Sequence, residues 1–422
     1  MGEAEPVDGP VGPHQGGGAH VTDDAVALDR LICHRRIPSL RLGNGTLAPV
    51  QTGPTTGTVP DPAVAAARFA LDGPVESIVP HGEGNINATH LVTVVGPVRY
   101  LLQRLNPEVF PDPESVMANV ALVTSHLRSR LEAAGQEDLD RRVVRLVPTR
   151  DGRLSWRAAD GAVWRCLWFV ERTRSEATLG SDAQAFEAGR AFGELHRLLV
   201  DLDPALLSET IPGFHHPEQR LSSFERVLRV DPAGRAAVVA DEVAFVLENR
   251  HLTEAGRSLA GPDVPTRVAH NDAKVDNLLF DDDSGRAICV TDLDTIMPGP
   301  ILWDVGDLLR TAACPVREDE PDIDRVRMDL GRARAMLTGY HQEAAGWISQ
   351  PEVALLSLAG GVLVYEQAMR FLTDYLAGDV YFRTFRPGQN LDRSRVQVRL
   401  LASMLEQMPR LDDIVAGLWR NA

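Results

Sequence analysis

The period of the apolar positions changes along the chain, and the changes divide it. From Pro62 the pattern tightens, and Ala63–Leu71 reads as a short helix. Val75–Pro80, Ala88–Val95 and Val98–Leu105 are runs of β-branched and aliphatic residues. They are separated by His81-Gly82-Glu83-Gly84-Asn85 and by Gly96-Pro97, which predicts an antiparallel meander with a glycine-rich first turn. Val116, Val120, Val123, Leu127 and Leu131 recur at helical spacing within 113–134, and Gly135 follows. Strand character returns at Arg142–Pro148, Leu154–Arg157 and Val163–Glu171, with Gly152 and Gly161 at turns. This order describes a small α+β lobe ending near residue 172.

Beyond that point the periodicity is mostly helical. Ser181 with Gln184 has the form of a capping box opening the helix Ala183–Val200. Further helices are predicted over Pro217–Val230, Gly234–Arg257, Ile323–Glu343, Pro351–Leu376 and Leu391–Met408. No internal repeat is visible. Residues 1–60 contain Gly16-Gly17-Gly18, the run Thr52 to Gly57 and many prolines. Such a composition buries too little apolar area to offset ordering entropy, so a disordered tail is expected there. The expected organisation is a tail to residue 60, a nucleotide-binding N-lobe over 61–172 and a helical C-lobe over 173–422.

Composition narrows the function. The 422 residues are 44% hydrophobic and 24% charged, which are globular values. The net charge of −16 repels phosphate backbones and argues against nucleic acid as a partner. Cys33, Cys166, Cys289 and Cys314 form no CxxC pair and sit at no metal-ligand spacing, which suits a reducing cytoplasm. The longest apolar run, Val353 to Tyr365, is too short to cross about 30 Å of hydrocarbon, so no membrane association is expected. Lys274 is the single lysine among 43 basic residues.

That lysine lies in the stretch that carries chemistry. His270-Asn271-Asp272 follows the apolar Val268-Ala269. An apolar Leu278–Phe280, a turn at Asp281–Gly285 and a strand Ala287–Thr291 lead to Asp292-Leu293-Asp294. Phosphoryl transfer needs a carboxylate to orient the attacking hydroxyl and oxygen ligands to hold Mg²⁺ against the phosphates. Asp272 suits the first role. Asn277, five residues on, and Asp292, on the next strand end, suit the second. Lys274 can neutralise the transferring phosphate. This order matches the kinase pattern H-x-D-x-x-x-x-N followed by an acidic strand end. A two-lobed, protein-kinase-like α+β fold follows, with a small antiparallel sheet and a mostly helical C-lobe.

The stretches HNDAKVDNLLFD and VTDLDTIMPG resemble the aminoglycoside phosphotransferase/choline kinase superfamily. Within it the similarity is to the N-acetylhexosamine 1-kinases. Gly84-Asn85-Ile86-Asn87 with Tyr100 to Asn106, Ile211 to His215, Trp303 to Arg310 and Arg370 to Phe382 extend the resemblance over about residues 75–410. It implies ATP and Mg²⁺ as co-substrate and cofactor, and transfer to the anomeric hydroxyl of N-acetylglucosamine or N-acetylgalactosamine. It implies Asp272 as base, Asn277 and Asp292 as metal ligands, and Asp294 as a second acid near metal or sugar. Gly82, Gly84, Asn85 and Asn87 would cover the phosphates.

The strand lysine of protein kinases is absent. Gln103 and Arg104 stand at its place, and strand alternation lets only one of them face the cleft. Glu114 is the early helix acid available to pair with such a cation. Arg310 sits one helical turn after Asp307, either to hydrogen-bond sugar or to pair with Asp307. Asp304 and Asp307 also suit helix caps. His215 and His216, before Pro217, read as a helix-entry turn, His196 as packed, and Tyr365, Tyr375 and Tyr381 as core or sugar-pocket aromatics. Two rival readings remain at this stage. One is a kinase of the same superfamily acting on an aminoglycoside, choline or homoserine. The other is a catalytically dead nucleotide-binding regulator, motivated by the missing lysine.

Overall fold

The computed structural model describes residues 61–82 and 86–420; the predicted tail, Gly84 and Asn85 lie outside them. The described chain begins with α1 (Pro62–Ala66), β1 (Val75–Pro80), β2 (Ala88–Val94), β3 (Arg99–Leu105), α2 (Pro113–Ala133) and α3 (Leu139–Arg142). Strands β4 (Leu146–Val147), β5 (Trp156–Arg157) and β6 (Val163–Trp168) complete an antiparallel sheet ordered β1-β2-β3-β6-β4, with β5 on β6. Alternation gives the sheet two faces. Val92, Val94, Tyr100, Leu102, Trp164 and Cys166 pack with Ala65, Ala66 and Phe69 into a closed core. Leu101, Gln103, Arg165 and Leu167 point to the opposite face, onto a cavity.

The next elements are β7 (Thr173–Arg174), α4 (Asp182–Leu199), α5 (Pro217–Val230), α6 (Ala240–Glu248), α7 (His251–Ser258) and β8 (Arg267–Ala269). Two small antiparallel sheets complete the strands. One is the hairpin of β9 (Leu278–Asp281) with β10 (Ala287–Val290), and β9 also takes β7. The other pairs β8 with β11 (Met297–Gly299), which brackets that hairpin in the chain. Helices α8 (Leu302–Ala312), α9 (Leu330–Ala344), α10 (Gln350–Ala354), α11 (Leu356–Ala377) and α12 (Gln389–Trp419) complete the helical lobe. The fold is thus α+β, with an antiparallel-sheet N-lobe and a helical C-lobe. Among the described residues no helix is long and apolar enough to cross a membrane.

Several expected elements differ for local reasons. The helix predicted over 234–257 is two helices, because the Asn249 side chain donates back to the Phe245 carbonyl at 2.9 Å and ends the first. The helix expected to stop at Met408 runs through Pro409 to Trp419. A proline inside a helix costs about 3 kcal/mol. Burial of Leu411, Ile414, Val415 and Trp419, at roughly 1.5–3 kcal/mol per large side chain, outweighs it. The box at Ser181 is half formed: Ser181 accepts from Gln184 N–H, but the Gln184 side chain turns to Gly180 N–H. Helices α4 and α9 cross through glycines, since a β-carbon on Gly189 would overlap the Met336 carbonyl and one on Gly339 the Phe186 carbonyl.

Candidate functional site

The loop after β8 carries the charged residues of the site, and it is fixed from two sides. Asp304, in the first turn of α8, caps no helix. Its carboxylate accepts the N–H groups of His270 at 2.7 Å and Asn271 at 2.6 Å, and a nitrogen of His196 at 2.9 Å. The other His196 nitrogen meets the Tyr340 hydroxyl at 2.9 Å. Burial pushes the Asp304 carboxyl up, but the His196 bond and charge outweigh it and hold it low. From the other side His215 reaches the Asn271 carbonyl at 2.9 Å and Glu366 at 3.1 Å, stacked on Trp303. Both its partners are acceptors. Burial lowers the His215 pKa, yet Glu366 and the Asn271 carbonyl more than reverse this and raise it. The loop turns at Asn271, whose φ is +63°, a conformation asparagine tolerates better than most residues. His270 ties it to the neighbouring strand end through the Thr291 carbonyl at 2.9 Å.

The loop so held presents Asp272, Lys274 and Asn277 together. Lys274 Nζ lies 3.4 Å from Asp272 and 3.8 Å from Asp276. The Asn277 amide nitrogen donates to the Asp272 carbonyl at 2.8 Å and carboxylate at 3.1 Å. Burial raises the Asp272 carboxyl, but Lys274 and the Asn277 bond outweigh burial and lower it. Burial opposes the Lys274 charge, and Asp272, Asp276 and Asp292 overcome this and raise it. Asp292 follows β10 in the left-handed region, at φ +57°. Its side chain opens to the cleft, but enclosure by protein and the carboxylates Asp294 and Asp272 raise its pKa to about 6.

The N-lobe contributes a row of side chains across the sheet. Thr89, Gln103 and Arg165 are direct cross-strand neighbours on β2, β3 and β6. Gln103 donates to Thr89 at 3.1 Å and accepts from Arg165 Nε at 2.8 Å. Arg165, 2% exposed, pairs through Nη1 with Asp294. The second Asp294 oxygen accepts from Asn87 at 2.7 Å. The end of the glycine-rich turn is thereby tied to the segment just after Asp292. Sequence reasoning missed Arg165. Its signal was a charge inside the apolar run Val163 to Trp168, which a buried strand keeps only when the charge has a partner.

Two cavities meet here. One, of about 360 Å³, is lined by His81, Leu101, Leu167, Trp168, Phe169 and Val170 among others, and is mostly apolar. The other, of about 500 Å³, holds Asp272, Lys274, Asp294 and Arg310, with Arg370 and Phe371 of α11 and Tyr381 and Phe382 of the segment after it on its far wall. Gln103, Ser175, Asn277 and Asp292 line both. Of the expected pair, Gln103 faces the cleft and Arg104 does not. Glu114 pairs with Arg157 at 3.2 Å and is exposed, away from Gln103. Asp307 is buried and bonds Arg310 at 2.7 Å without lining either cavity. Arg310 also reaches Glu318 at 2.7 Å. Gly82 adopts φ +74° at the turn but lines neither cavity. Tyr365 and Tyr375 are core, while Tyr381 lines the larger cavity.

The donor set at the junction suits Mg²⁺. Asn277 uses its amide nitrogen on Asp272, which leaves its amide oxygen for a cation. Asp292 is a carboxylate crowded by two others. Among the described residues no three His, Cys, Asp or Glu side chains form a closed metal cage. Mg²⁺ is typically bound by one or two protein oxygens completed by phosphates and water.

Comparison with known proteins bears on the family and the fold. The sequence profile described as "Phosphotransferase enzyme family" (APH) matches residues 77–345. Among solved structures, an aminoglycoside phosphotransferase from Alicyclobacillus acidocaldarius is similar at 15% identity and a TM-score of 0.54, over 88% of this chain and 100% of that one. Spectinomycin phosphotransferase, solved with ADP and spectinomycin, is similar at 11% identity and a TM-score of 0.53, over 79% and 93%. A microcompartment-associated aminopropanol kinase is similar at 16% identity and a TM-score of 0.53, over 82% and 96%. At these identities the structures speak for the fold, whereas the profile covers more than half of the sequence and spans the loop that bears Asp272. The chain belongs to the phosphotransferase enzyme family.

Proposed function

We propose that this small-molecule phosphotransferase moves the γ-phosphoryl group of ATP to a sugar hydroxyl, the anomeric hydroxyl of N-acetylglucosamine or N-acetylgalactosamine. One observation carries the reading of the reaction: a mostly apolar chamber and a polar one share Asn277 and Asp292, and Asp272 stands in the polar one. A base flanked by aliphatic and aromatic side chains fits the first chamber, and the acceptor fits the second. The transferring phosphate then lies at their junction.

Asp272 accepts the proton of the attacking hydroxyl. Its low pKa makes it a weak base but keeps it ionised and aligned, and alignment is what a loose phosphoryl-transfer transition state needs most. Asn277 fixes the carboxylate and, with Asp292, would hold Mg²⁺, which supplies charge neutralisation between the phosphates. Lys274, 3.4 Å from Asp272, stands beside the path of the transferred group and stabilises the charge that develops there.

One segment of the acceptor wall, around Arg370, suits a neutral polyol, beside the carboxylates Asp276, Glu318 and Asp319 of the same cavity. Arg370 lies over the rings of Phe214, Tyr381 and Phe382, at 5.2, 6.0 and 5.4 Å from their centroids. A guanidinium framed by aromatic faces bonds hydroxyl and carbonyl oxygens and repels ammonium groups. The resemblance to N-acetylhexosamine 1-kinases points the same way. The test is phosphoryl transfer from Mg-ATP to N-acetylglucosamine, N-acetylgalactosamine, glucose, choline, kanamycin, spectinomycin and aminopropanol, read by phosphorus NMR beside Asp272→Asn. An anomeric phosphate on the N-acetylated sugars, lost in the variant, is expected. Turnover confined to the amines would overturn the sugar assignment and keep the kinase.

A further inference from the structure

The absence of a strand lysine leaves the nucleotide phosphates without an obvious cation. We propose that Arg165 fills that place. In this reading, which rests on the apolar chamber's being the nucleotide site, the β6 guanidinium donates to the phosphates of a nucleoside di- or triphosphate. Asp294 and Gln103 hold its plane.

The other candidates are engaged elsewhere. Lys274 sits in the acceptor chamber between Asp272 and Asp276. Arg104 faces away from the cleft. Among the described residues, the arginines lining the apolar chamber are Arg165 and Arg174. Arg174 is engaged by Glu176 at 2.9 Å and Asp282 at 3.2 Å. Arg165 uses Nε on Gln103 and Nη1 on Asp294, while Nη2 has no protein acceptor among the described residues. It lines the chamber beside Asn277 and Asp292, where the phosphates must pass to reach Asp272. The direct cross-strand position from Gln103 is the important detail. Moving the cation one strand over keeps it on the same face of the sheet, because directly paired residues of antiparallel strands point the same way. A planar fork also differs from a point-charge ammonium: two of its nitrogens, Nε and Nη1, are held in plane by protein, which aims the third, Nη2, in a fixed direction.

Equilibrium titration separates this role from a structural one. The full-length chain, with Mg²⁺ chelated, is titrated by calorimetry with ADP and with adenosine, beside Arg165→Met. A charge-assisted bond to phosphate predicts that ADP weakens about 10- to 100-fold. Adenosine, which carries no phosphate, stays within about threefold. If Arg165→Met fails to fold, Arg165→Gln, which keeps donors for Gln103 and Asp294 but no charge, is expected to show the same split. ADP affinity unchanged in the variant overturns the assignment, and so does an equal loss for adenosine, which marks a strut of the sheet. A wild type that binds no ADP overturns the kinase reading itself.

Discussion

The two walls of the cleft are held by different means. On the helical side, the loop around Asp272 is fixed mainly through its backbone. Asp304 takes two of its N–H groups and His215 one of its carbonyls. On the sheet side, the described residues that flank the glycine-rich turn are held differently. The described end of that turn is tied by one side chain, Asn87, to Asp294, and Asp294 is held by Arg165 on a strand. Backbone anchoring to a buried carboxylate fixes the position of every atom in a loop. A side-chain clasp fixes a single point. Asp272, proposed as the base, suits the first kind of structure, because its contribution is alignment. A segment proposed to admit and release nucleotide suits the second.

The comparison breaks most visibly at Asp304. Asp304→Ala leaves the His270 and Asn271 N–H groups and the His196 nitrogen without their shared acceptor in a buried site. A stability loss of about 3–5 kcal/mol is expected, with turnover falling by more than the unfolded fraction explains. Urea midpoints and specific activity of the folded protein measure the two. A variant that is destabilised but fully active when folded would show that the loop keeps its shape without its anchor.

His215 is the second support, and its effect carries a pH signature. His215→Gln replaces two opposed donor nitrogens by a single amide nitrogen without charge and leaves Glu366, which is buried, undercompensated. A loss of about 2–3 kcal/mol is expected. The histidine's pKa is raised from 6.5 on folding, so its contribution is complete below that value and fades as pH rises through the raised one. Burial pushes Glu366 up, but His215 outweighs it and lowers the glutamate below 4.5. That contribution is complete above 4.5 and fades as pH falls through the lowered value. The groups that face the pair are Arg220, 4.0 Å from Glu366, and Arg370. The stability gap between wild type and variant is therefore widest between pH 4.5 and 6.5 and shrinks in alkaline buffer. A gap that grows with pH would mean that the imidazole is neutral in the fold.

The two walls also differed in how far sequence announced them. Asp272, Lys274, Asn277 and Asp292 lie within 21 residues, and their spacing alone places them on one loop and the next strand end. Their anchors were seen as residues but not as anchors. Asp304 resembled a helix cap and His215 a turn residue, because a carboxylate accepting backbone N–H groups from 34 residues away has no local pattern. Arg165 was the extreme case. Its role depends on the register of β6 against β3 and on a carboxylate 129 residues on. The meander was legible because its strands are local and hairpin-joined. The split at Asn249 and the helix through Pro409 were not, since a side-chain bond decided the first and tertiary burial the second.

Asn87 tests the weaker wall. Asn87→Ala removes the bond to Asp294 and the one that Asn87 accepts from Asn106 N–H at 3.0 Å. Both are partly exposed, so a loss of about 1–2 kcal/mol is expected. The sharper reading is local. Amide hydrogen exchange around Ile86 and Thr89 should quicken, while that of His270 and Asn271 stays unchanged. Exchange rising equally in both places would make the two walls one cooperative unit and end the distinction drawn between them.

The smallest effect is expected at Glu114, where a kinase-like helix glutamate would have been most costly to remove. In this chain Glu114 opens α2 and meets Arg157 on the solvent side, with 72% of its side chain exposed. An exposed pair of this kind contributes under about 0.5 kcal/mol. What α2 does contribute is Asn119, buried and bonded to the carbonyls of Ser208 at 2.8 Å and Ile296 at 2.9 Å. That fixes the helix to the segment two residues beyond Asp294 without any charge. Glu114→Gln should thus leave both the urea midpoint and the nucleotide KM within error, even at low ionic strength, where surface pairs are strongest. A several-fold rise in KM would mean that Glu114 reaches a cation in the nucleotide-bound form, and that Arg165 shares its work with an ion pair on the helix.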